Sequence, residues 1–78
     1  MNDTLTVEGM KYIIGRLLKN AEDSVKEYDR SRGEERVFAS GRKEAYYEML
    51  NVLKTELDAR GQDLEAFGLN VDLVKKYA

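Results

Sequence analysis

The sequence contains no cysteine, no histidine, no tryptophan and no proline. Without cysteine there can be no disulfide framework and no thiolate metal site, and without histidine no imidazole ligand. Nucleophilic catalysis through a cysteine or a serine–histidine pair is excluded within this chain. Long hydrophobic runs are missing as well: stretches such as Tyr12-Ile13-Ile14 fall far short of a membrane span, and no signal peptide is visible. A soluble, cytoplasmic protein without membrane contact is the expectation. The absence of proline leaves every segment free to be helical.

What is present favours helix. The 78 residues carry 13 Lys plus Arg and 15 Asp plus Glu, for a net charge of −2, and 42% of them are hydrophobic. Leu, Lys, Glu, Arg and Ala are strong helix formers. Spacings of three and four recur, whereas apolar–polar alternation does not persist anywhere. No repeat or low-complexity segment occurs, so a single helical domain is expected over 1–78.

The first helix is predicted over about 6–30. Thr6 is placed to cap it, with Leu5 and Met10 as a hydrophobic staple and Asp3 as a rival cap one turn earlier. Val7, Met10, Ile14, Leu17, Ala21, Val25 and Tyr28 form one stripe, widened by Ile13 and Leu18, with Tyr12 pointing away. A polar break follows at Asp29-Arg30-Ser31-Arg32-Gly33, where Ser31 and Glu34 have capping-box spacing. So short a connection makes the two helices antiparallel.

The second helix is predicted over about 34–60, stopped by Gly61, with a shorter version capped by Ser40 as the alternative. Its stripe is Phe38, Ala45, Met49, Val52 and Leu53, extended on one side by Tyr46, Leu50 and Leu57, with Tyr47 outside and Gly41 close to it. Gly41 and Ala45 read as small residues that let another helix approach. The remainder carries two further helical pieces, over 63–67 with Asp63 as cap and Gly68 as stop, and over 70–77 with Asn70 as cap.

At 100° per residue the apolar arc spans roughly 140° on the first helix and about 160° on the second. A two-helix seam needs only a narrow stripe. The tail is too short to cover two helices of roughly 37 Å each. A second copy is the simplest remaining cover. The expected architecture is therefore all-α: an antiparallel hairpin with a short helical tail, pairing as a homodimer into a four-helix bundle. Candidate interface residues are Ile13, Leu17, Leu18, Phe38, Gly41, Ala45, Tyr46 and Met49.

The candidate chemistry is sparse. Arg30, Arg32, Arg36, Arg42 and Lys43 face only Glu34 and Glu35 over residues 30–43, a local net charge of +3. Arg30, Arg32 and Arg36 gather at the hairpin tip, where they are placed to grip phosphate. Local pairing of Arg32 and Arg36 with Glu35 is the competing account. Glu44 and Glu48 share a helix face, but carboxylate bundle sites usually add histidine, which this chain lacks. Tyr46 and Tyr47 are placed to bury a ring face and wet the hydroxyl, and Arg42 to stack on Tyr46. No catalytic, cofactor-binding or metal residue is assigned.

The stretch Phe38-Ala39-Ser40-Gly41-Arg42-Lys43-Glu44-Ala45-Tyr46-Tyr47-Glu48-Met49-Leu50 resembles a pattern seen in small uncharacterised bacterial proteins: Phe, then Gly-Arg, then Ala-Tyr-Tyr-Glu and an aliphatic pair on one helix. The resemblance covers about thirteen residues and implies a shared helix; those proteins have no assigned activity, so no functional residue carries over. The expected role is a non-enzymatic helical interaction module that self-associates or takes a protein partner on the same surface. A nucleic-acid-associated regulator acting through the basic tip is the alternative.

Overall fold

The computed structural model describes residues 5–78 and is all-helical over them. Helix α1 is Val7–Arg30 and helix α2 is Glu34–Ala59, packed against each other as a hairpin. A 3₁₀ turn, Leu64–Phe67, and a short helix α3, Leu73–Tyr77, complete the chain.

Local chemistry explains each start and stop. The Thr6 hydroxyl oxygen accepts the Gly9 N–H at 2.9 Å and caps α1. The rival cap Asp3 lies outside the described residues. Ser31 does not open α2 through a capping box with Glu34. Its hydroxyl donates backwards to the Glu27 carbonyl at 2.6 Å, and its N–H donates to the Tyr28 carbonyl at 3.2 Å, so it closes α1 instead. Gly33, at φ +60°, turns the chain into α2 with no side-chain cap. The longer form of α2 holds, and Ser40 lies within it.

Two glycines end helices by the same device. Beyond α2, the Gln62 N–H reaches the Leu57 carbonyl and the Gly61 N–H that of Asp58, both at 3.0 Å. Beyond the 3₁₀ turn, Leu69 donates to Leu64 at 2.9 Å and Gly68 to Glu65 at 3.0 Å. These are paired 6→1 and 5→2 bonds around a left-handed glycine. Asp63 caps the 3₁₀ turn through Glu65 N–H, as its position predicts. Asn70, however, is not the cap of α3. Asp72 takes that place, accepting the Lys75 N–H at 3.2 Å. The Lys54 ammonium donates to the Val71 carbonyl at 2.7 Å, and the chain bends at Val71 before α3 begins.

Gly68 is the more constrained stop. It sits at φ +75°, and a Cβ there would lie 3.1 Å from Leu18 Cδ1. Gly68→Ala is expected to cost about 1–2 kcal/mol, since a left-handed residue with a side chain carries that penalty and the contact adds to it. Gly15, exposed within α1 with nothing near its missing Cβ, should respond in the opposite sense. Gly15→Ala is expected to stabilise by roughly 0.5–1 kcal/mol. Urea unfolding of the two variants beside the parent measures both.

The tail runs back along α2. Lys54 binds the Val71 carbonyl, and Lys43, nearer the hairpin turn, donates to the Ala78 carbonyl at 3.1 Å. The tail therefore passes from the open end of the hairpin towards its turn. It supplies Phe67, Leu69, Leu73 and Tyr77 to a core completed by Ile14 and Ala21 of α1 and Leu50 and Leu57 of α2. Small buried residues, Ser24 on α1 and Ala39 on α2, belong to the half of the hairpin near the turn. The Ser24 hydroxyl is satisfied by the Ala21 carbonyl at 2.6 Å.

The buried face of α2 differs from the expected one. Ala39, Leu50 and Leu57 are buried, with Tyr46, Tyr47 and Leu53 half-buried around them. Phe38, Ala45, Met49 and Val52 face solvent. The apolar arc is wide enough to contain two stripes, and periodicity alone does not rank them. Docking of the tail buries the edge carrying Leu50 and Leu57 and leaves the other edge bare. Tyr47, placed outside the stripe by its spacing, packs on the core for the same reason.

Candidate interaction surface

The exposed edge of α2 is continuous. Phe38 is 72% exposed, Met49 43% and Val52 60%, with exposed Gly41 and Ala45 between them. Their positions 38, 41, 45, 49 and 52 advance by three or four, so they make one ridge along the helix. Val37, also exposed, widens it at the turn end. Nothing lies within 4 Å of where a Gly41 Cβ would be. The small pair Gly41 and Ala45 therefore does not serve packing within the chain; it leaves a shallow waist in the middle of the ridge.

The expected interface residues separate into two groups. Phe38, Gly41, Ala45 and Met49 lie on this edge, and Ile13 is exposed on α1. Leu17, Leu18 and Tyr46 are half-buried against the core of their own chain and are committed there. Val52 belongs with the exposed group on the strength of its position. Val37 lies four residues before Gly41 and continues the spacing of the ridge; the expected stripe started at Phe38 and left it out.

At the hairpin turn Arg30, Arg32 and Arg36 are exposed, but Arg36 is engaged. Its guanidinium lies 4.2 Å from the centroid of the Tyr28 ring, and the Lys43 ammonium lies 4.8 Å from the same centroid. Tyr28 thus meets two cations from successive parts of α2. Arg42 pairs with Glu27 at 2.5 Å across the hairpin and lies 5.7 Å from the Tyr46 ring. These contacts tie α1 to α2 near the turn. The pairing of Arg32 and Arg36 with Glu35 is not among the ion pairs of the described residues, which are Lys11–Glu8, Arg42–Glu27 and Arg60–Glu56.

Elsewhere the chemistry does not converge. Glu44 and Glu48 are both exposed, and no group of three or more acidic side chains among the described residues is arranged to hold a metal ion. An open groove of about 610 Å³ lies between the second half of α2 and the tail, with Asn51, Lys54, Asp58 and Asp72 among its lining residues. Lys54 is already spent on Val71. Every buried side-chain nitrogen and oxygen among the described residues has a hydrogen-bond partner, so none is left aimed at a ligand. No helix of the described residues is long and apolar enough to cross a membrane.

One ionisable group is displaced from its ordinary range. Burial pushes the Tyr77 phenol above its usual value of 10.0, and the nearby Glu22 carboxylate adds to the effect. The fold accommodates the neutral phenol better than the phenolate. The resulting stability is complete below the ordinary value and is lost as pH rises through the raised one. Denaturant unfolding followed from pH 9 upward should show an alkaline decline beginning above about pH 10. Tyr77→Phe, which keeps the ring, should flatten it.

Comparison with known protein families, curated proteins and solved structures returns no match, so the exposed ridge of α2 and the fold that presents it stand on their own geometry.

Proposed function

We propose that this protein is a small, non-enzymatic helical module whose role is assembly, and that it self-associates through the outward edge of α2. The carrying observation is the ridge formed by Phe38, Met49 and Val52 around Gly41 and Ala45, left in water after the tail has docked. An exposed lone apolar residue needs no explanation, but five aligned positions over four turns of one helix form a patch of the kind that marks interaction sites.

The shape of the backbone supports the same reading: it is thin, measuring 46 × 30 × 14 Å along its principal axes. A second helical layer laid on the open face of α2 thickens the molecule and buries the ridge, giving a four-helix arrangement at the level of the hairpins.

The basic turn is the weaker candidate. Arg36 is laid over Tyr28, and Glu34 and Glu35 occupy the first turn of the same helix. Net attraction for phosphate is reduced accordingly.

Sedimentation equilibrium from 1 to 200 µM tests the assignment. The parent should approach twice the 9.0 kDa chain mass at the upper end. Phe38→Glu should weaken association by about 100-fold or more, since each copy loses one buried aromatic and the pair loses two. Because Phe38 is exposed in the single chain, the variant should keep its helical circular dichroism. A parent that sediments as a 9.0 kDa species throughout overturns the proposal.

A further inference from the structure

We draw no further inference here: the strongest candidate, the open groove of about 610 Å³ between the second half of α2 and the tail, is lined by Lys54 and Asp72 side chains already bonded to the backbone of their own chain, and no unpartnered buried side-chain nitrogen or oxygen among the described residues points to a ligand there.

Discussion

Removal of residues 62–78 is expected to abolish the cooperative fold of the hairpin. The tail contributes Phe67, Leu69, Leu73 and Tyr77, all nearly inaccessible to water. Full burial of each such side chain is worth about 1.5–3 kcal/mol. Their sum, roughly 6–12 kcal/mol, is as large as the whole stability of an ordinary small protein at about 5–15 kcal/mol. The deletion also uncovers Ile14, Leu50 and Leu57, on which the tail rests. The truncated chain should lose its sigmoidal thermal transition by circular dichroism and bind a hydrophobic dye. A truncated hairpin that still melts cooperatively would show that α1 and α2 suffice, and the account of the core given above would be wrong.

Leu50→Ala should produce the largest effect of any single truncation in α2. Leu50 is 0% exposed and lies in the core shared with α1 and the tail. Leucine-to-alanine changes at such sites cost about 2–5 kcal/mol, the transfer loss plus the cavity left behind. After the conformational entropy of folding is subtracted, a chain of this size rarely keeps more than about 3–5 kcal/mol of net stability, so the variant should be largely unfolded at 37 °C. Val52→Ala, two residues along the same helix, is the internal control. At protein concentrations low enough to keep the chain monomeric it should shift stability by less than about 0.5 kcal/mol, as exposed sites do. Urea titration at 1 µM measures both. Equal costs at the two positions would mean that the exposed and buried edges of α2 have been interchanged.

That pair of variants also marks the boundary of what sequence periodicity can decide. Leu50 and Val52 both belong to one apolar arc of about 160°, and helical spacing gives each an equal claim to the core. The same ambiguity holds for Phe38 against Ala39 and for Met49 against Tyr46. It is resolved by residues far along the chain, Phe67 to Tyr77, which pack on one edge and ignore the other. The cap of α3 falls at Asp72 and not at the expected Asn70 for a related reason. Asn70 and Asp72 are both good caps, and the choice falls to Lys54, which holds the intervening Val71 carbonyl. Neither contact leaves a trace in local spacing. The exposed ridge, the waist at Gly41 and Ala45, and the contacts of Arg36 and Lys43 with the Tyr28 ring are likewise products of tertiary packing.

The structure placed the start of α2 at Glu34 and not after Ser40; the sequence by itself determined the all-helical character, the extent of the first long helix, the turn at Gly33 and the glycine stops at Gly61 and Gly68. These depend on capping oxygens, backbone freedom and helix propensity, which act within a few residues. Only the tertiary structure decided which edge of α2 is buried and which is left in water. That choice depends on where the tail docks, and burial is a property of neighbours distant in sequence, not of the spacing of residues along one helix.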